Sequence, residues 1–514
     1  MKIKNFKLDY RIVLILIFLL GSVLRFYMGS SIPPGLYIDE ASIGYNADEI
    51  LKHGVDQYGY KYPLFFKSYG DYKLPVYVYG VSLSIAAFGR NDFAVRFPSE
   101  LFGSLTIILF FYFIRKLLKI GKMKFENFSN DSISLLSTLF LAISPWHIHF
   151  SRGGFEATVG LFLYLLACFL ALIYFENKKW FYLFLSGIVF AITLYTYHSY
   201  RIISPITYFL LCSYFFFKLK QRKQMIINFA VFCVILIPIL LFSLSVNGSA
   251  RFTFTSAFAD YTNLTPLQKI VTYPMIIIKN YLSNFTFYFL FDTGDGIGRH
   301  QIANFGPMFK WQMPFLIAGT YYLLKQKEKF VKIIILILIF FSVISSAVVV
   351  PSPHTLRNLM LTIPFSLLIS FGFVQIAEIF KFKKYFLFVL VGIIAIFEFS
   401  LYLHYYYIHY PKINALDWGA SYKQLVLQTE AKSKDYDYVV VDQNLGYMPI
   451  YYHFYLEKNS PLLVPVTWVK PKEWAGKKVL YVRPYYGPNY SDKIISNVYF
   501  DFAKDKIFAQ FWSL

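Results

Sequence analysis

Long apolar runs recur along this chain, and short segments rich in Lys and Arg separate them. Ile12–Met28, Met225–Val246, Ile333–Val350 and the shorter Tyr385–Phe397 are examples. A run of roughly 20 apolar residues is what a helix needs to cross the hydrocarbon core of a bilayer. A chain built this way can hide its backbone polar groups in lipid only as helices, so a polytopic α-helical membrane protein is predicted. The charged fraction agrees: 15% of the 514 residues are Asp, Glu, Lys or Arg, against about 25% in soluble proteins. The net charge of +21 does not point to nucleic acid, because its cations sit between apolar runs, where topology is encoded. Cys168, Cys212 and Cys233 all fall inside apolar runs, which implies no disulfide framework and disfavours a thiolate metal site.

The basic segments Met1–Arg11, Arg115–Lys124, Lys178-Lys179, Lys218–Lys223, Lys325–Lys332 and Lys381–Lys384 are read as cytoplasmic. The runs between them must then cross in pairs. Ser134–Phe150, Thr158–Phe175, Phe181–Tyr197, Ile202–Phe217, Met225–Val246, Trp311–Leu324, Ile333–Val350, Leu359–Ile379 and Tyr385–Leu403 alternate in direction. Ile12–Met28 is read as an uncleaved anchor, since no small-residue cleavage site follows it. Parity then requires one inward crossing before Arg115. Phe97–Ile114 is taken for it, and Leu74–Gly89, short and bearing Pro75, is left on the outer surface. About eleven spans result, with a cytoplasmic N-terminus and an extracytoplasmic C-terminus. The predicted organisation is a membrane domain over 1–404 and a small extracytoplasmic α/β domain over 405–514. Within the former, 29–96 is a first outer loop and 247–310 a second, with an amphipathic stretch near Leu267–Leu290. In the tail, Tyr438–Asp442 and Val479–Val482 read as buried strands and Gln424–Lys432 as a helix.

On this topology the polar residues gather on the outer face. Asp39 and Glu40 follow Pro33-Pro34-Gly35-Leu36-Tyr37-Ile38, and Arg152 and Glu156 follow Trp146-His147-Ile148-His149. Arg201 follows Tyr197-His198-Ser199-Tyr200, Arg299 and His300 close Gly294-Asp295-Gly296-Ile297-Gly298, and His354 and Arg357 lie in Pro351–Asn358. Cations at a membrane boundary suit a phosphate headgroup, which Arg holds bidentately. A carboxylate nearby can take a proton from an attacking hydroxyl. Together they predict group transfer from a lipid-phosphate donor. Structural readings stand beside the catalytic ones: Asp39 and Glu40 suit the first turn of a helix over Ala41–Lys52, and Glu156 could pair with Arg152. Arg201 and Arg357 suit the snorkelling ends of spans. His147, His149 and His198 read as interfacial, and the glycines of Gly294–Gly298 as turn residues.

The run Pro34-Gly35-Leu36-Tyr37-Ile38-Asp39-Glu40-Ala41, then Lys73-Leu74-Pro75-Val76-Tyr77, Phe93–Ser99, Ser144-Pro145-Trp146 and Ser151-Arg152 resembles a known pattern. It is similar to bacterial protein O-mannosyltransferase-like and aminoarabinose-transferase-like members of the glycosyltransferase C (GT-C) superfamily, over roughly Ile12–Leu403. The resemblance implies a polyprenyl-phosphate sugar donor, inversion at the anomeric carbon, and juxtamembrane helices in the first outer loop. It makes Asp39 the general base and Lys73 a phosphate contact, and places Glu156 where relatives often carry Asp.

The expected protein is therefore a membrane glycosyltransferase of the cell envelope, moving a sugar to a glycan, lipid or protein acceptor on the extracytoplasmic face. Asp39, Glu40 and Glu156 are its catalytic candidates. Lys73, Arg299, His300, His354 and Arg357 are the donor-phosphate candidates, with Arg152, Arg201 and Tyr37 also in view. No metal ligand set stands out; a monophosphate donor needs no cation beyond Lys and Arg, whereas a diphosphate donor would favour a divalent metal. The rival class is a transporter or flippase of lipid-linked glycans, which would place charges at mid-membrane and break its helices there.

Overall fold

The computed structural model describes residues 9–68, 71–219, 222–380, 384–465, 470–485, 493–500 and 503–513. Lys2, Lys4, Lys7, Lys220, Lys381 and Lys383 of the basic segments lie outside the described residues. Helices dominate the first 400 residues. From the amino end come α1 (Tyr10–Phe26) and α2 (Ile38–His53), the short strands β1 (Phe66–Ser68) and β2 (Asp71–Lys73), and α3 (Pro75–Phe88). Then follow α4 (Asp92–Ile120), α5 (Asn130–Ala142), α6 (Pro145–Arg152), α7 (Glu156–Asn177), α8 (Trp180–Thr193) and α9 (Tyr200–Leu219). α10 (Arg222–Leu244), α11 (Val246–Thr255), α12 (Pro266–Ser283), α13 (Met313–Lys325), α14 (Lys329–Ala347), α15 (Thr362–Ile379) and α16 (Lys384–His404) complete the series.

Among the described residues, seven helices are long and apolar enough to cross a membrane. They fall in α4, α7, α9, α10 and α14, and over Leu359–Ile379 and Phe388–Ile413. Counting α5 and α6 as one span broken by 54° gives eight. The break has a local cause: Pro145 lacks an N–H, and the residue before it is pushed out of the helical region, so Ser144 becomes the cap of α6. The other three expected crossings coincide with α1, α8 and α13, of 17, 14 and 13 residues. At about 1.5 Å per residue the last two reach only about 20 Å of the roughly 30 Å core. α3, on the segment expected at the outer surface, is equally short at 14 residues. α12 exposes Leu267, Ile270, Val271, Met275, Ile278 and Leu282, spaced to form one stripe, as in a helix lying in a bilayer interface.

The chain divides into two compact units. The first joins Met1–Tyr27, Tyr69–Tyr77 and Pro98–Leu403; the second joins Met28–Ser68, Val78–Phe97 and His404–Leu514. The seam at Leu403 and His404 lies next to the boundary read from the sequence. The first outer loop, assigned there to the membrane domain, instead packs for the most part with the tail. In the first unit, α13 and α15 cross at Gly319 and Gly372. A Cβ on Gly319 would lie 1.8 Å from the Leu368 carbonyl oxygen, and one on Gly372 1.9 Å from that of Phe315. Small residues let helix backbones touch where lipid supplies no hydrophobic drive.

In the second unit a five-stranded sheet has the order β4-β3-β5-β7-β6, with β3 (Tyr438–Asp442), β4 (Leu462–Val464) and β5 (Val479–Pro484) parallel. β6 (Lys493–Phe500) and β7 (Ala503–Ser513) complete it in antiparallel fashion. Its core gathers Val440, Val464, Val479, Tyr481 and Trp512. Two helices accompany the sheet, Tyr422–Ser433 and Met448–Leu456. The second packs on α2: Tyr45 stacks on His453 with centroids 4.7 Å apart, and Gly44 leaves room for the Phe454 ring. Buried Asp48 binds Lys52 at 2.9 Å and Arg90 at 3.1 Å, and both cations also hold Glu457.

Replacing Gly319 or Gly372 by Leu is expected to lower the thermal unfolding temperature in detergent, since overpacking a tight contact costs about 1–3 kcal/mol or more. An unchanged midpoint in both variants would show that the α13–α15 crossing is looser than described.

Candidate functional site

The acidic pair sits at the start of α2, and its two carboxylates have different surroundings. Glu40 is the third residue of the helix and accepts the Tyr37 backbone N–H at 3.0 Å, satisfying a donor left open by the helix start. Arg96 also donates to it: Nε to Oε1 at 2.9 Å and Nη2 to Oε2 at 3.1 Å. Both side chains are buried, at 2% and 0% exposure. The same guanidinium donates to the carbonyls of Gly29 (3.0 Å), Pro33 (2.8 Å) and Gly35, and lies over the Trp418 ring at 5.5 Å. In this setting Glu40, a carboxylate receiving three donors in a dry site, anchors a loop. Asp39 points elsewhere. It is half-buried and accepts the Tyr37 hydroxyl at Oδ2, which gives Tyr37 a positioning part.

The first unit holds a separate polar cluster. Trp146 donates its backbone N–H to Pro307 O (3.1 Å) and its indole N–H to Thr355 O (2.9 Å), joining α6 to the loops 294–308 and 351–358. His149 Nε2 lies 2.7 Å from Arg299 O. Asn284 accepts from Asn358 and from Ser346 (3.1 Å), which ties the second loop to α14. These segments were expected on one face because of their charge pattern, and within this unit they do meet. At their junction Asp295, whose carboxylate is buried, takes His300 Nδ1 at 2.8 Å, the Thr355 N–H at 2.8 Å and the Ile297 N–H at 3.1 Å. His354 Nδ1 lies 3.9 Å away, and the rings of His300 and His354 are 4.9 Å apart. Burial alone would raise the Asp295 pKa. The His300 hydrogen bond, the charges of both imidazoles and the Thr355 N–H outweigh it and hold the carboxyl below its usual range. Asp295 sits among the glycines read from sequence as turn residues; the positive φ of Gly294 (60°) and Gly296 (75°) on either side shows that the tight turn is what presents it.

Lys73 is largely buried, with Nζ 3.8 Å from Asp71 Oδ2. Arg357 is half-buried; its backbone N–H faces His354 Nδ1 at 3.4 Å and its Nη1 faces Val350 O at 3.5 Å. Arg299 is half-buried beside His300, and Glu156 and Arg201, also half-buried, open α7 and α9. Arg152 is fully buried and donates to the Leu24 (2.8 Å), Arg25 (3.3 Å) and Tyr27 (2.6 Å) carbonyls at the end of α1. A cation there satisfies open carbonyls and complements the helix dipole. Arg25 does likewise for α5 through Leu141 and Ala142 (3.5 and 3.1 Å), and meets His147 Nδ1 at 2.7 Å. Sequence reading also passed over Arg96 as a site-building residue; a lone Arg among the apolar residues opening α4 was the available signal.

Residues 73–243 match the model of the dolichyl-phosphate-mannose-protein mannosyltransferase family. No curated protein matches the sequence. Among solved structures, ArnT from Cupriavidus metallidurans bound to undecaprenyl phosphate is similar over 97% of both chains, at 12% identity and a TM-score of 0.57. The apo oligosaccharyltransferase from Archaeoglobus fulgidus matches 90% of this chain at 14% identity and a TM-score of 0.52. AglB from the same archaeon, in complex with an inhibitory peptide and a dolichol-phosphate, matches 92% at 13% identity and 0.52. The chain spans 64% of the apo archaeal enzyme and 69% of AglB in its complex. By fold, the chain is similar to ArnT and to the archaeal oligosaccharyltransferase.

Arg96→Ala is expected to cost about 3–5 kcal/mol, because it strands a buried carboxylate, whereas Asp39→Asn costs less than about 1 kcal/mol. Thermal unfolding of the two purified variants checks the contrast, and equal midpoints would refute the division of roles.

Proposed function

We propose that the chain is a membrane glycosyltransferase that takes a sugar from a polyprenyl-phosphate donor and passes it, with inversion, to an acceptor on the extracytoplasmic face. The observation that carries this reading lies in the first unit. An apolar cavity of about 550 Å³ is lined by Leu290, Phe291, Ile317, Tyr321, Phe365 and Leu368 among others. Its volume falls in the range of ligand sites, and Ile317 and Tyr321 are exposed, as a site entered from lipid requires. The strand of chain that lines it, through Leu290 and Phe291, runs directly into the turn bearing Asp295, Arg299 and His300. An isoprenoid tail in an apolar groove with its phosphate at a cationic loop is the arrangement this sequence of surfaces suits. The ArnT and AglB structures hold undecaprenyl phosphate and dolichol-phosphate, which supports the same donor class here.

In the proposed step Asp39 accepts the proton of the acceptor hydroxyl or amine as its O or N bonds to the anomeric carbon. The bond from that carbon to the donor phosphate breaks, and polyprenyl phosphate leaves with the electron pair. Lys73, Arg299, His300, His354 and Arg357 are the groups that would hold the leaving phosphate, acting where negative charge develops. Glu156, at a helix start, is kept as a second acid of the site. A transporter is less well supported. Arg25 and Arg152, charges buried in the bundle, use their hydrogen bonds on helix-end carbonyls, a packing role.

Incubation of the purified protein with a synthetic polyprenyl-phosphate sugar and an acceptor mixture should release polyprenyl phosphate. Asp39→Asn should cut that release by at least about 10²-fold, the usual worth of a general base, with donor binding retained. Wild-type turnover in the variant would sink the assignment.

A further inference from the structure

Two imidazoles and a carboxylate from two separate loops are rarely brought together in a buried place without reason. The ligand-capable atoms of Asp295, His300 and His354 all lie within 4.8 Å of one another. A tetrahedral zinc ion with ligands at 2.0–2.2 Å sets its donor atoms about 3.4 Å apart. The separations from Asp295 Oδ2, 2.8 Å to His300 Nδ1 and 3.9 Å to His354 Nδ1, bracket that edge, so shifts of under about 1 Å would close the shell. The donor chemistry is that of two imidazoles and one carboxylate, which suits divalent zinc, cobalt or iron rather than magnesium or calcium.

The surroundings support the same conclusion. Metal ligands are usually held by further hydrogen bonds, and here the Asp295 carboxylate and the backbone next to both histidines are held. The Thr355 and Ile297 N–H groups fix the Asp295 carboxylate. The indole of Trp146 fixes the Thr355 carbonyl, and His149 holds that of Arg299, the residue before His300. A small cavity lined by His149, His300, Trp146, Thr355 and Tyr402 adjoins the cluster. All these residues belong to the first unit.

We infer that Asp295, His300 and His354 form a binding site for one divalent transition-metal ion of the zinc type, with three protein ligands and an open coordination position. An open position is the mark of a metal that meets a substrate or water, and a phosphate oxygen is the natural occupant if the donor reading above holds; that last assignment alone rests on it. The metal would then neutralise charge on the leaving phosphate beside Arg299 and Arg357, which are half-buried.

The test uses the full-length protein, freed of any affinity tag, in detergent. It carries His404→Ala and His409→Ala, because that pair in the second unit has Nε2 atoms 3.2 Å apart and could bind metal itself. After exposure to Co²⁺ and desalting, one cobalt per chain is expected, with the intense visible bands of low-coordinate cobalt. Asp295→Ala and the milder His354→Gln should each weaken binding by at least about tenfold while the thermal midpoint stays measurable. No retained cobalt in the parent chain, or retention undiminished in both variants, would overturn the site. Added polyprenyl phosphate should shift the cobalt bands; retained cobalt with unmoved bands keeps the site and counts against the donor reading instead.

Discussion

Arg96 is the residue on which the second unit turns. Its guanidinium has five donor positions in a fixed plane, and it uses them on Glu40 and on three carbonyls of the Gly29–Gly35 loop. Those carbonyls belong to irregular backbone and would otherwise be buried without donors. The same contact fixes where α2 begins, since Glu40 is simultaneously taking the Tyr37 N–H. Asp39 is then placed by its neighbours: the helix start sets its backbone and Tyr37 sets its carboxylate. The tail completes the arrangement within this unit. Tyr451 donates to the Leu36 carbonyl at 2.7 Å, and Ala420 lies against Gly35, where any side chain would collide. An acid that looked like a feature of one loop is thus held in part by residues some 400 positions later.

The first unit solves a similar problem with different residues. Helices in a membrane end with carbonyls that have no intrahelical partner, and water is scarce where they are buried. Arg25 and Arg152 each cross to a neighbouring helix end and supply the donors. The break before Pro145 turns α6 so that Trp146 and His149 reach the loops bearing His300 and His354. The gathering of Asp295, His300 and His354 follows from that bend and from the Asn284–Asn358 contact behind it. Arg152 thus finishes a helix, while Asp295, His300 and His354 face one another across two loops.

Much of this was legible beforehand, and the reason is physical. Apolar length and the placement of Lys and Arg act locally, so the membrane class and most helix positions could be read residue by residue. Alternation of apolar residues marked β3 and β5 in the same way. The division of labour between Asp39 and Glu40 was not readable, because both suit the first turn of a helix and only the arrival of Arg96 distinguishes them. Arg152 looked like a phosphate ligand for the same reason: a positive charge near a span end suits a headgroup and a helix terminus equally.

By itself, the sequence determined that this chain must live in a bilayer as helices, and which of its loops gather polar and charged residues, since hydrophobicity and charge are properties of single residues. The tertiary structure decided which of those residues are partners. It grouped the first outer loop with the tail, gave Glu40 to Arg96, and set Asp295 between two imidazoles drawn from separate loops. Pairings of this kind depend on which distant segments pack together, and no local pattern encodes that.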